Sequence, residues 1–280
     1  MQFRRYENAQ VFAFDFGGSI RAAALAMGGD WQDLGGGLSD EDSPVALQPL
    51  ARIDDPAERA WAAGGLAAIL GSEGVAIDPQ AKDHLWTALG SLASAPLSER
   101  TLTGLAVLLQ NQPLKQALAP YCVGGPWGQL LDAESERLGA SDFQAFETVG
   151  LIESSAAPAV LTYLFHRIAS RLDGSPTLII VDEGWLALDS PAFVKQLATW
   201  LVTLRKKNAS IIFATQSLSQ IEGSPATPAI IESCKTRILL ANERALEPQI
   251  AAIYRRFGLN DRQIEMLARA TPRRDYYCQS

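Results

Sequence analysis

Residues 177–183 read Thr-Leu-Ile-Ile-Val-Asp-Glu, an apolar, β-branched run that ends in two acids. A run this apolar has no polar face, so a strand made from it is buried on both sides. A second run, Ser210-Ile211-Ile212-Phe213-Ala214-Thr215-Gln216, also ends in polar residues. Between the two, Ser190 and Pro191 supply a helix N-cap and a proline suited to the first helical position. Phe193, Leu197, Leu201 and Leu204 then recur at helical spacing, and Arg205-Lys206-Lys207-Asn208 places positive charge at the helix C-terminus. Two buried strands joined by such a helix, predicted over Pro191–Lys207, form a parallel β-α-β unit. Ligands of parallel sheets collect at the carboxyl ends of the strands. Asp182, Glu183, Thr215 and Gln216 would all lie on that edge.

An apolar strand ending in Asp-Glu has the form of a Walker B strand. In that chemistry Asp182 would hold Mg²⁺, usually through water, and Glu183 would polarise the water that attacks ATP. Gln216 could hydrogen-bond a γ-phosphate or the attacking water. The structural alternatives are that the acids cap the next turn and that Gln216 satisfies loop backbone groups. A Walker A loop needs Gly-Lys-Ser/Thr, so that backbone amides and a lysine cradle the phosphates. The lysines are Lys82, Lys115, Lys195, Lys206, Lys207 and Lys235, and none follows a glycine. The expectation is a piece of an ATPase, cut just after its phosphate loop.

The chain divides into three stretches. Residues 1–53 carry an apolar strand at Val11–Asp15, a Gly-Gly-Ser turn into a short helix, the loop Gly35-Gly36-Gly37 and an extended piece near Val45–Leu47. The triple glycine has no lysine and no strand-loop-helix frame, so it reads as a loop and not as a phosphate cradle. Residues 54–120 read as helical. Asp55-Pro56-Ala57-Glu58 and Asp78-Pro79 open two helices and Ser98 a third, with apolar stripes at Leu85, Trp86, Leu89, Leu92 and at Leu102, Leu105, Val107, Leu108, Leu109. Residues 121–280 return to α/β. Short strands are expected at Gln129–Asp132 and Asp142–Glu147, a helix at Ala157–Leu172, and a polar loop at Glu222–Pro228. A strand at Arg237–Leu240, two helices near Glu247–Phe257 and Asp261–Leu267, and a Tyr276-Tyr277 strand complete the stretch.

The net charge of −7 argues against a general nucleic-acid surface. No apolar run approaches bilayer-spanning length. Cys122, Cys234 and Cys278 are widely spaced, which suggests neither a disulfide framework nor a zinc site. His84 and His166 read as surface or boundary residues.

Val-Asp-Glu-Gly-Trp at 181–185, with Leu-Arg-Lys-Lys-Asn-Ala-Ser-Ile-Ile-Phe-Ala-Thr-Gln-Ser at 204–217, resembles the CagE/TrbE/VirB family of type IV secretion ATPases, and within it the TrbE-type conjugal transfer proteins. Weaker patches agree in order: Arg5-Tyr6, Gly28-Gly29, Gln48-Pro49-Leu50, Gly124-Gly125-Pro126-Trp127, Phe146-Glu147 and Arg274-Asp275-Tyr276-Tyr277. The resemblance implies a RecA-like P-loop NTPase core with a mainly parallel sheet and a helical insertion. It implies ATP and Mg²⁺ as cofactors, a hexameric tendency, secretion-channel partners and a cytoplasmic location at the inner membrane face. The family places its Walker A helix just before the Arg-Tyr patch. It often carries a basic residue in the turn that here reads Asp15-Phe16-Gly17-Gly18-Ser19, where the basic residue is only Arg21. Ring ATPases also donate an arginine across a subunit boundary; Arg205, Arg237, Arg273 and Arg274 are the candidates, Arg205 and Arg274 are singled out, and the structural alternative for each is a surface charge or salt-bridge partner. A chain without its first strand and P-loop helix would expose apolar sheet surface. Two other readings stay open: a DNA-pumping motor of the coupling-protein or HerA/FtsK type, and a non-catalytic interaction module.

Overall fold

The computed structural model describes residues 2–35, 45–152, 154–184, 188, 191–216 and 218–280. Gly36-Gly37, Ser190, the Phe193 side chain and most of the loop at 184–188 lie outside the described residues. The chain forms two compact units, Met1–Leu178 and Ile179–Ser280. Five strands make one sheet in the order β2-β3-β1-β4-β5, and β6 and β7 make a separate two-stranded sheet.

The first unit is built on β1 (Gln10–Asp15), β2 (Asp30–Asp33) and β3 (Phe143–Glu147). Both β1 and β2 run parallel to β3, with Asp15 opposite Glu147 and Asp33 opposite the same residue. Every residue of β1 and β3 is buried, as expected for parallel strands covered on both faces. Phe14 meets the rings of Phe146 at 5.3 Å and Phe165 at 5.6 Å, which ties the sheet to helix Ala157–Arg171. Strand β2 reads Asp-Trp-Gln-Asp and was not expected; it has no apolar alternation, and its pairing with β3 alone makes it a strand.

Helices Pro56–Ser72, Pro79–Leu92, Leu102–Leu108 and Gln112–Leu118 fill the stretch between β2 and β3. The Asp55 carboxylate accepts from the amides of Ala57 and Glu58, and that of Asp78 from Ala81, so both expected caps form. Thr101, not Ser98, caps the third helix; Ser98 lies in a 3-10 turn. Trp86 and Val107 are exposed although they sit in the apolar stripes, so the buried faces are narrower than the sequence suggested.

One further expectation in this unit changes. Gln129–Asp132 is not a strand: Gly128–Leu131 is a helical turn. A β-carbon on Gly128 would lie 2.1 Å from the Cys122 carbonyl oxygen, so the turn closes on a glycine. His166 is a boundary residue, as expected. Its ring stacks on Trp61 at 3.9 Å and 13°, and its Nε2 lies 2.9 Å from Glu58, which joins helix Pro56–Ser72 to helix Ala157–Arg171.

Strand β4 (Thr177–Val181) carries the boundary between the units. In the second unit helix Pro191–Thr203 tightens into a 3-10 turn, Leu204–Lys207. Asn208 then takes a left-handed φ of 54° and releases the chain into β5 (Ala209–Phe213). Of the stretch expected as a polar loop at Glu222–Pro228, residues 223–226 are turn and bend, while Glu222 ends helix Leu218–Glu222 and Thr227 and Pro228 open helix Thr227–Ser233. Strands β6 (Arg237–Leu240) and β7 (Tyr276–Gln279) pair antiparallel, and helices Pro248–Arg256 and Asp261–Arg269 lie between them in sequence. Among the described residues no helix is long and apolar enough to cross a membrane.

Candidate functional site

Strand β4 ends at Val181, and the two acids follow in a turn. The turn is fixed by β5: the Ala214 amide donates to the Val181 carbonyl at 2.9 Å, and the Ala214 carbonyl accepts from the Gly184 amide at 3.0 Å. A regular parallel ladder would take that second bond from residue 183. One extra residue is accommodated, and it is Glu183, with a left-handed φ of 45°. Its amide turns to the Asp182 carboxylate at 3.0 Å. An inserted residue of this kind re-aims its side chain. Here Gln216, which follows β5, donates from Nε2 to the Glu183 carboxylate in a close hydrogen bond. The left-handed conformation is costly for a residue with a β-carbon, by about 1–2 kcal/mol, and such costs gather at functional sites.

Gly184 allows the turn to sit this close to β5. A β-carbon there would lie 2.3 Å from the ring of Phe213. Asp182, Glu183 and Gln216 are thus gathered at one strand edge, with Glu183 and Gln216 in contact. The arrangement presents two carboxylates and a neutral amide. Those groups suit the oxygen coordination of Mg²⁺, which needs only one or two protein carboxylates when phosphates supply the rest.

Arg205 and Arg274 are not members of this cluster. Arg205 is exposed in the 3-10 turn before β5, at the opposite end of that strand from Gln216. Arg274 is exposed and bonds to its neighbour Asp275 at 3.2 Å.

A second set of acids lies within the first unit. Asp15 and Glu147 end β1 and β3 and are almost wholly buried. Asp15 accepts from Ser19 Oγ at 2.6 Å and from the Ile20 amide at 2.8 Å. Glu147 accepts from the amides of Gly17 at 3.2 Å, Gly18, and Val149 at 2.9 Å. Successive amides at left-handed glycines make a small anion cradle; Gly17 and Gly18 have φ of 92° and 69°. The Glu147 carboxylate fills it. The Asp15–Ser19 turn is therefore organised by the protein's own acid. The sequence marks Glu147 as the end of an expected strand and as part of a family patch, but not as a site acid. The missed signal was an acid at the end of an apolar strand, the same signal that marked Asp182.

The family model of the TraG P-loop domain matches residues 109–276. The chain belongs to that family. P-loop domains bind nucleotide, generally with Mg²⁺. The chain is 42% identical over 279 residues to a probable TrbE conjugal transfer protein of Sinorhizobium fredii, covering 99% of this chain and 42% of the relative. It is also 42% identical over 281 residues to the conjugal transfer protein TrbE of Rhizobium radiobacter, covering 99% and 34%. The chain thus spans well under half the length of these curated relatives. Among solved structures, VirB4 of Thermoanaerobacter pseudethanolicus superposes with a TM-score of 0.66 at 18% identity, over 97% of this chain and 81% of that one. That likeness shows the α/β fold. The family resemblance read from residues 181–217 is borne out by these matches.

Proposed function

We propose that residues 1–280 belong to a conjugal-transfer or type IV secretion ATPase that couples ATP hydrolysis to channel assembly or substrate transfer. The observation that carries this reading is the Gln216–Glu183 hydrogen bond beside Asp182, at a strand edge of a P-loop family domain. Asp182 is the metal-side acid. Glu183 orients and deprotonates the attacking water. Gln216 senses the γ-phosphate with a neutral amide. Bound Mg²⁺ would neutralise charge on the transferred phosphoryl group. The phosphate cradle is supplied by polypeptide outside residues 1–280, since no lysine of this chain follows a glycine.

The organisation proposed is an α/β core begun by residues 1–53 and completed by residues 121–280, with residues 54–120 as a helical insertion. The assembly is a homo-oligomer, a hexamer in the family pattern. It sits at the cytoplasmic face of the inner membrane with secretion-channel components. Arg205 and Arg274, both exposed, are available to a neighbouring subunit. The missing Gly-Lys loop is the one observation that favours a non-catalytic module for the chain taken alone.

The test joins the region of Rhizobium radiobacter TrbE outside the match to residues 1–280 in one polypeptide. The joined polypeptide is expected to hydrolyse Mg-ATP, and the 280-residue chain alone to show neither turnover nor micromolar ATP affinity. Micromolar binding by the chain alone, or a joined protein that binds but never turns over, would sink the reading. Strong stimulation of turnover by DNA would favour the DNA-pumping motor.

A further inference from the structure

A cleft of about 210 Å³ lies within the first unit, between helix Ala157–Arg171 and loop 138–140, over β1 and β3. Phe12, Phe146, Leu164 and Ile168 form its apolar wall, and Arg167 and Arg171 line it from the helix. Its rim lies toward the amino ends of the strands. Phe12 pairs in register with Gln144, the second residue of β3, and Gln10, the first residue of β1, donates from Nε2 to the Arg171 carbonyl at 3.1 Å. Asp15 and Glu147 end the same two strands at the other edge, where ligands of parallel sheets usually gather. The cleft is therefore separate from the carboxyl edge of its own sheet.

The loop that forms the rim is fixed before any ligand arrives. Gln144 donates from Nε2 to the Gly139 carbonyl in a close hydrogen bond. The Asp30 carboxylate accepts from the Ser141 amide at 2.9 Å, and the Asp30 amide donates to Ser141 Oγ at 3.0 Å. Arg171 donates from both Nη1 and Nη2 to the Ser141 carbonyl at 3.2 Å. A wall held from β2, β3 and the helix needs little further ordering, which lowers the cost of binding.

The charges select the ligand. Arg167 and Arg171 stand four residues apart on one helix face, where like charges repel. Arg167 reaches Glu136 through Nη2 at 2.9 Å, and its Nε is buried without a hydrogen-bond partner among the described residues. Arg171 lies over the Phe12 ring at 5.2 Å. Its ion-pair partner, Asp142, is 3.7 Å away and exposed, so water screens that pair. Two guanidinium groups thus share one part-buried carboxylate beside an apolar wall. A guanidinium offers five donors in a planar fork, which matches a carboxylate. Apolar walls with a few placed polar groups are the usual composition of a small-molecule site.

We propose that this cleft binds a small organic monocarboxylate, with the carboxylate held by Arg167 and Arg171 and the hydrocarbon part against the apolar wall. The anion relieves the repulsion between the two arginines, and each donates to it without giving up its present partner. The site stands whether or not the ATPase reading does, because it uses no residue of the Asp182–Glu183–Gln216 cluster.

The test titrates benzoate into the 280-residue chain and follows the Nε–H resonances of Arg167 and Arg171. Benzamide serves as the neutral match and inorganic phosphate as the tetrahedral anion. Benzoate should shift both resonances saturably. Benzamide should bind about tenfold more weakly or not at all, since it cannot accept charge-assisted hydrogen bonds. Arg171→Lys keeps the positive charge and loses the fork, and should weaken benzoate by about tenfold. If that variant melts early, Ala140→Asp replaces it. Ala140 is exposed on the rim, so a fixed carboxylate there should repel benzoate and leave the melting temperature unchanged. Shifts that do not saturate, or benzamide binding as well as benzoate, overturn the proposal. So does phosphate binding more tightly than benzoate, or benzoate affinity unchanged in the folded variant.

Discussion

The side-chain amide of Gln216 donates to the carboxylate of Glu183, although the two lie 33 positions apart and on different strand ends. The contact joins the acid proposed to activate water to the amide proposed to sense phosphate. A γ-phosphate arriving at this edge would compete for the same amide.

In the joined polypeptide, Glu183→Gln should retain Mg-ATP binding and lower turnover by roughly 10²-fold, the scale of a lost general base. Gln216→Ala should also keep binding and lose turnover, with the melting temperature little changed because the amide is exposed. A lowered melting temperature with normal activity per folded molecule would return Gln216 to a structural role.

Gly184→Ala places a methyl group against the Phe213 ring. The ring or the turn must move, at about 1–3 kcal/mol for an overpacked contact. The expected result is a lower melting temperature and impaired turnover together. Phe213→Leu in the same chain should restore some of the stability by vacating the ring edge. A Gly184→Ala protein with parental stability would show that the turn yields without cost.

Asp55→Ala removes the acceptor for two helix amides, those of Ala57 at 2.7 Å and Glu58 at 3.1 Å. The cost should be about 1 kcal/mol, read as a reduced denaturant midpoint. Asp55→Asn should recover most of it. Equal stability of the alanine and asparagine variants would show that the cap does not hold this helix.

Alkylation should separate the three thiols. Burial first, and then the nearby Asp132 carboxylate, push the Cys122 thiol up to about 11, against a lowering bond with Thr103. Only about a thousandth of it is thiolate at pH 8, and thiolate is the reactive form. Cys234 is also raised by burial, partly offset by Arg237. Cys278 is exposed. Iodoacetamide at pH 8 should therefore label Cys278 first and Cys122 last in the folded chain, by mass spectrometry. For Cys122 the sign is that of a raised acid: its rate should climb only as pH rises toward 11. Early labelling of Cys122 would contradict its burial.

The local signals in the sequence were strong where chemistry and burial agreed along a single stretch. Thr177–Glu183 reads as a strand with acids at its end, and β4 is that strand over Thr177–Val181, although Leu178 and Ile180 are only half-buried. Asp55 and Asp78 announced helices because a cap acts within three residues, so no distant partner is needed. The family, too, was legible from residues 181–217, and the TraG P-loop match agrees. Tertiary contacts decided the rest. Asp-Trp-Gln-Asp carries no strand pattern, and β2 exists because β3 offers it a pairing edge. Gln129–Asp132 is apolar enough for a strand, yet the close approach of Gly128 to Cys122 turns it into a helical turn. His166 reads as a surface or boundary residue, and only the fold brings it Trp61 as ring partner and Glu58 as hydrogen-bond partner, both more than a hundred positions away. The sequence by itself determined which residues carry acids and amides at strand ends, because strand burial and chain direction are written locally. Only the tertiary structure decided that Glu183 is an inserted residue turned toward Gln216 while Glu147 is spent on its own glycine turn. Hydrogen bonds between distant segments, and not residue type, divide acids that could serve chemistry from acids that hold the fold.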